Sequence, residues 1–237
     1  MRTMAVGKVV MTREAGEPVD IALWVSPGSQ PARADVVADI SHELGNFLHR
    51  LYYCSELLQD QSPPRMADAG AMLARTIGGL EGFLKRALEY LRPMDLARVR
   101  MAVPDVVEGL AMHLRACLPT TRLEVPAATE WTREATLVDP GRFATVAQAI
   151  ARQVADCAGG ADAVALFRDE AAHDGGLGVE VLVVNPEHHG VGHTSALGSL
   201  DWALAELIVN QHGGELRMGV TDEGAPAVSL WLPFAPS

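Results

Sequence analysis

Cysteine is scarce. Cys54, Cys117 and Cys157 lie far apart, they are odd in number, and no CxxC pair occurs. That spacing suits neither a disulfide framework nor a thiolate zinc site. Long apolar runs are missing too. None approaches the ~20 residues a membrane helix needs, and the N-terminus has no signal-peptide pattern. Positive charge is in deficit, with 19 Lys and Arg against 30 Asp and Glu and a net charge of -11. This balance argues against nucleic acid or an anionic membrane as partner. There is no Walker-type Gly-Lys-Ser/Thr, no internal repeat and no low-complexity tract. What remains is a chain of 237 residues, 49% of them apolar, enough to bury a full core without staples. A soluble, reducing, cytoplasmic setting is expected.

The chain divides into three parts. Residues 1–34 hold two short β-like runs, Lys8–Thr12 and Val19–Val25, with a turn at Gly16-Glu17-Pro18 and a break at Pro27–Pro31. A lone hairpin is marginal in water, so it must pack on something or fray. Residues 35–98 read as two helices. The first, about 34–59, carries Ile40, Leu44, Phe47, Leu51, Cys54 and Leu58 at alternating spacings of four and three. Ser62-Pro63-Pro64 stops it. The second, about 65–96, repeats the pattern at Leu73, Ile77, Leu80, Leu84, Ala87 and Leu91. A short connection makes these an antiparallel hairpin. A hairpin with two wide apolar faces cannot bury both alone, so a homodimer built as a four-helix bundle is expected. Residues 99–237 mix strands and helices. Strands are expected near 99–103, 122–125, 135–138, 163–168, 179–184, 215–220 and 227–232, with helices at 105–118, 140–156 and 200–211. The fold class is therefore α+β: a helical hairpin followed by an α/β sandwich with a mostly antiparallel sheet.

One stretch of the first helix carries chemistry: Asp39-Ile40-Ser41-His42-Glu43-Leu44-Gly45-Asn46-Phe47-Leu48. His42 falls off the apolar seam, so its ring should face solvent or a partner. Glu43 adjoins it, and Asn46 lies one turn on along the same face. A neutral imidazole is a competent nucleophile at physiological pH. Glu43 could accept the proton on one ring nitrogen while the other attacks phosphorus. Asn46 could hold a water or a phosphoryl oxygen.

Ser41-His42-Glu43-Leu44-x-Asn46-x-Leu48 resembles the H-box of two-component sensor histidine kinases. The resemblance implies that His42 is the phospho-accepting residue, Glu43 the adjacent acid and Asn46 the polar residue of the phosphatase motif. It departs at Phe47, where the family usually has proline, so the helix should run without a kink. The order of elements in 99–237 resembles the ATP-binding domain of the same kinases. Its strongest echo is Ala205–Leu216, followed by an apolar hairpin ending Leu230-Trp231-Leu232-Pro233-Phe234.

The residues that do the ATP work in that family are largely absent here. The helix at 142–156 should carry asparagines for magnesium and phosphate, but its comparable turns read Gln148, Ala149, Arg152 and Gln153. Asn185-Pro186-Glu187-His188-His189-Gly190-Val191-Gly192 stands where an Asp-x-Gly-x-Gly motif is expected. Ser199-Leu200-Asp201-Trp202 stands at the place of a phosphate-cradling glycine motif. There Asp201 and Trp202 would oppose a triphosphate by charge and bulk. Gly190-Val191-Gly192 reads as a plain loop. His188, His189 and His193 with Glu187 have zinc-ligating chemistry, yet adjacent loop histidines rarely converge, and no metal site is expected. His113, His173 and His212 are single and read as structural or exposed.

These observations lead to a histidine phosphotransferase that relays phosphoryl groups to or from the aspartate of a response-regulator receiver domain through His42. No cofactor is expected on the chain itself, magnesium arriving with the receiver. An upstream histidine kinase is a further expected partner. The alternatives are an ATP-dependent kinase that autophosphorylates His42, a non-catalytic pseudokinase adaptor of a regulator, and an aspartyl-phosphate phosphatase acting through Glu43 and Asn46.

Overall fold

The computed structural model describes residues 6–12, 18–24, 33–59, 63–92, 95–127, 132, 134–156, 163–173, 176–184, 200–221 and 226–236. Two long helices, α1 (Arg33–Gln59) and α2 (Pro63–Leu91), form an antiparallel stalk. Along α1 the seam runs as its spacing demands. Phe47 and Cys54 are buried, Ile40, Leu44 and Leu51 half-buried, and only Leu58 at the far end is open. The helix passes Phe47 without a break.

The seam of α2 is rotated from its expected position. Ala69, Thr76, Phe83 and Ala87 are buried, and Leu73, Leu80 and Tyr90 half-buried. This series also alternates four and three. It shares Leu73, Leu80 and Ala87 with the expected one, but takes Thr76, Phe83 and Tyr90 instead of Ile77, Leu84 and Leu91. Phe83 decides the choice. Its ring packs on Phe47 with centroids 5.7 Å apart and planes at 45°. Gly79 opens the space for it, since a Cβ there would sit 3.1 Å from Cε1 of Phe47. Thr76 satisfies its hydroxyl on the Met72 carbonyl at 2.8 Å. The helix ends at Leu91, not near 96, because Pro93 lacks an N–H and restrains the residue before it.

The rest is a three-helix, two-sheet lobe. Its elements are β3 (Val99–Ala102), α3 (Val103–Cys117), β4 (Arg122–Glu124), β5 (Ala135–Val138), α4 (Pro140–Asp156), β6 (Ala163–His173), β7 (Gly176–Val184), α5 (Leu200–Gln211), β8 (Glu215–Thr221) and β9 (Pro226–Pro233). Two N-terminal strands, β1 (Val6–Thr12) and β2 (Pro18–Trp24), join them. The large sheet has the order β1-β2-β8-β9-β7-β6-β4 and is antiparallel except between β4 and β6. The small sheet pairs β3 with β5. Alternate residues of the central strands, Val179, Val181, Val183, Val228, Leu230 and Leu232, bury against the apolar faces of α3, α4 and α5. Period-two strands meeting period-3.6 helices make the core.

Three local features position the functional elements. The N-terminal hairpin docks by β2 on the edge of β8, from Ile21 opposite Thr221 to Trp24 opposite Met218, so the hairpin is part of the lobe's sheet. Asp139 caps α4, accepting the Gly141 N–H on Oδ1 at 3.0 Å, and Pro140 opens the helix. At the end of α5, Gly213 turns left-handed at φ 77°. Its N–H reaches the Asn210 carbonyl at 2.9 Å, and that of Gly214 reaches the Val209 carbonyl at 3.0 Å. Among the described residues no helix is long and apolar enough to cross a membrane.

The lobe meets the stalk through α5. Leu200 and Ala203 close a small core with Val36, Phe47, Phe83 and Ala87. Phe47 thus serves two contacts at once, within the stalk and beneath the lobe. Phe47→Ala should lower unfolding free energy by about 3 kcal/mol, read as a drop in urea midpoint with an unchanged slope.

Candidate functional site

The sequence stretch around His42 sits on the middle turns of α1. The ring is exposed, on the side of the helix away from Val36, Ile40 and Phe47. Since those three face the partner helix and α5, the lobe of the same chain lies behind His42 and not in front of it. His42, Asn46, His49 and Tyr53 recur at four, three and four residues, and their exposed or half-buried side chains line one outer stripe. Arg50 stands over the Phe47 ring, 5.9 Å from its centroid. Ser41 donates its hydroxyl back to the Val37 carbonyl at 2.8 Å, so it is engaged with its own helix.

Among the described residues the ring's hydrogen-bond partner is Asn46, with Nδ2 and Nδ1 3.3 Å apart. Glu43 was expected to fix the tautomer, but it is Asn46 that reaches the ring. Glu43, the next residue along the helix, is half-buried. An amide has one face that donates and one that accepts, and the two differ in outline only by hydrogens. Here it is the nitrogen that faces the ring, so Nδ1 accepts from Asn46 and the ring proton sits on Nε2.

The lobe's own candidate place lies where α4 and α5 meet. Gln148 and Arg152 are exposed on α4, while Ala149 and Gln153 are buried. Asp201 opens α5 and pairs with two guanidiniums, Arg86 of α2 (Nε to Oδ1 2.7 Å) and Arg152 of α4. Its side chain is only 16% exposed. Trp202 does not project into open space as the sequence suggested. It is buried in the lobe core, and its indole N–H donates to Glu206 Oε1 at 2.7 Å. Burial raises the Glu206 carboxyl to about 6, against the opposing effect of that hydrogen bond. The carboxylates of this place are Asp201, paired with two guanidiniums, and Glu206, whose Oε1 accepts from Trp202 and whose Oε2 is buried without a partner. The segment 185–199, with Asn185, His188, His189 and His193, lies outside the described residues. Elsewhere among the described residues no three His, Cys, Asp or Glu gather as a metal group.

His212 is structural, as its isolation in the sequence suggested. Nδ1–H donates to the Ile208 carbonyl at 2.7 Å, and Nε2 accepts the Asp139 N–H at 2.8 Å. Asp139 in turn accepts the Ala97 N–H at 2.9 Å. This neutral ring ties the start of α4 to the end of α5. Burial pushes its pKa down, ahead of smaller effects from the Ile208 carbonyl, Arg98 and Asp139.

Sequence reasoning missed Arg86, Glu89 and Arg142. Glu89 of α2 pairs with Arg142 in the first turn of α4. The available signal was a pair of opposite charges, Arg86 and Glu89, one turn apart beside the α2 seam. Their partners are far away along the chain and could not be guessed.

No protein-family model matches the chain, and no curated protein matches it in sequence. Solved structures do. A histidine kinase of Acinetobacter baumannii, AdeS, superimposes with a TM-score of 0.57 at 12% identity, over 82% of this chain and 98% of that one. Full-length ShkA, solved in complex with AMPPNP, superimposes with a TM-score of 0.51 at 14% identity, over 86% of this chain and 46% of that one. The likeness takes in the stalk as well as the lobe, and it is one of fold: the chain has the architecture of a histidine kinase core.

The pH response of stability follows from the two shifted groups. A His212 pKa below the ordinary value of about 6.5 means the unfolded chain binds that proton more readily. Its contribution is full above about pH 6.5 and is lost as pH falls below it. Glu206 acts in the other sense, its folded form taking up the proton first, so its effect favours folding as pH falls from about 6 toward 4.5. His212→Gln should cost about 1–3 kcal/mol at pH 7 and flatten the fall in urea midpoint just below pH 6.5. Glu206→Gln should make the acid loss steeper.

Proposed function

We propose that this chain is a histidine phosphotransferase of a two-component pathway, with His42 as the residue that carries phosphate. One observation carries the reading. The imidazole stands exposed on the outer face of the stalk, with the chain's own lobe packed on the opposite side of the same helix. A phosphoryl group therefore reaches it from another molecule. The string that resembles an H-box points to a receiver domain as that molecule.

In the forward step a receiver's aspartyl phosphate approaches the outer stripe of α1. The Nε2 lone pair forms the P–N bond as the P–O bond to the aspartyl carboxylate breaks. The electrons of that bond return to the carboxylate. This step uses the tautomer protonated on Nδ1, which Asn46 supports once its amide oxygen turns to the ring in place of the nitrogen that faces Nδ1 in the free chain. Glu43, the adjacent carboxylate, favours the imidazolium charge that develops. Magnesium belongs to the receiver and screens the moving phosphoryl oxygens there. The protein's part is mainly positioning. The same face in reverse passes phosphate on to a second receiver.

A second copy of the chain completes the stalk. Ile77, Leu84, Leu88 and Leu91 of α2 are 51%, 44%, 50% and 51% exposed. With Val37, Leu48 and Tyr52 of α1, also exposed, they form apolar stripes beside the seam. A dimeric four-helix bundle buries such stripes.

The test is incubation with phosphorylated receiver domains, followed by detection of acid-labile label on this chain. Label should appear on the native protein and vanish in His42→Ala, and titration with Mg-ATP should give no heat of binding. Label acquired directly from the γ-phosphate of ATP would make the chain a kinase instead. A His42→Ala protein that keeps its cellular effect would make it an adaptor. Ile77→Asp should convert a dimer to a monomer in sedimentation, because a charge would then face the apolar interface.

A further inference from the structure

We propose that Asp201 is a latch. Its carboxylate clasps Arg86 of the stalk and Arg152 of the lobe, and so holds the two parts in one fixed arrangement.

The geometry supports this in three independent ways. First, a single carboxylate serves three helices. Asp201 opens α5, Arg86 belongs to α2 and Arg152 to α4, with Arg86 Nε 2.7 Å from Oδ1 and Arg152 on Oδ2. The carboxylate sits in the first turn of α5, where the helix dipole favours negative charge. Burial lowers the pKa of Arg86, so this guanidinium needs a counter-ion where it stands. Second, the contact is keyed. One turn along α2 from Arg86, Glu89 meets Arg142 of α4. The stalk thus presents plus then minus, and the lobe answers minus then plus. Sliding the stalk by one helical turn would set Glu89 toward Asp201, a like-charge contact that opposes the move. Third, the ionic contacts flank an apolar one. Leu200 and Ala203 of α5 are sealed against Val36, Phe47, Phe83 and Ala87.

Both of the stalk's connections to the lobe lie at the same end of the hairpin. The strand before α1 is hydrogen-bonded to β8 of the lobe, and α2 runs on into β3 after a short connection. Here the lobe becomes an immobile platform behind the His42 stripe, held by a carboxylate at the place where a phosphate chain would otherwise be cradled. This inference stands whichever way phosphate moves through His42.

Amide hydrogen exchange on the full chain tests it without any phosphoryl transfer. Asp201→Asn should raise exchange at least tenfold in residues 200–206 and 80–91, leaving β7 and β9 protected. Unchanged exchange in those two segments would overturn the latch. Should Asp201→Asn loosen the whole lobe, the second pair decides. Glu89→Arg alone should loosen the same two segments, and adding Arg142→Glu should restore their protection. A double variant as loose as the single one would sink the proposal.

Discussion

Everything in this molecule depends on how α1 disposes of its apolar face. A helix side chain has one azimuth, and residues three and four apart share it. Val36, Ile40, Phe47 and Cys54 lie on one side and are removed from water by α2 and α5. Burying that stripe is the main favourable term for the stalk. Once it is buried, the azimuth of His42 is no longer free. It must point outward, because residues two on from Ile40 and five short of Phe47 fall on the far side of the helix. The exposure of the imidazole is thus a consequence of hydrophobic burial elsewhere and needs no polar contact to enforce it. The Asn46 contact only adjusts the ring on a stage already set.

The same burial ties the lobe to the stalk. Its helices are the other wall of the stalk's core. Remove α5 and Phe47, Phe83 and Ala87 lose part of their cover. The place between α4 and α5 is occupied by side chains of the chain itself. Trp202 fills the core, and Asp201 pairs with Arg86 and Arg152. Close packing demands something there, since an unfilled cavity costs stability in proportion to its volume. A tryptophan and an ion cluster meet that demand.

Much of this was legible in the sequence, and the failures have identifiable causes. The stalk, the order of strands and helices and the outward azimuth of His42 follow from local spacing. Asp139-Pro140 and His212-Gly213-Gly214 marked helix ends correctly because capping is local chemistry. The α2 seam was misplaced because two interleaved stripes share Leu73, Leu80 and Ala87, and only Phe47 on the other helix selects between them. The end of α2 was overrun because Pro93 lay inside an otherwise helical pattern and was not weighed. Trp202 was read as bulk in an open site, since a sequence gives no direction for a side chain at the first turn of a helix. Asp201 was read by its charge alone; its partners come from two other helices, and no local pattern announces them. The fate of the N-terminal hairpin was hidden for the same reason, because edge pairing to β8 is a contact between the two ends of the chain.

That edge pairing has a further consequence for the sheet. An open strand edge is a template for unwanted association. Without β1 and β2, β8 would present its unpaired backbone at one side of the lobe. The opposite side ends in β4, only three residues long and carrying the Arg122–Glu124 ion pair at 2.8 Å. A short, charged strand discourages pairing by itself. The longer β8 runs on past its own Glu215–Arg217 pair, and from Met218 to Thr221 the hairpin covers it. The apolar seam and the ion cluster, for their part, act on one degree of freedom, the angle between stalk and lobe. Two unlike interactions converging on one angle leave it little freedom to change.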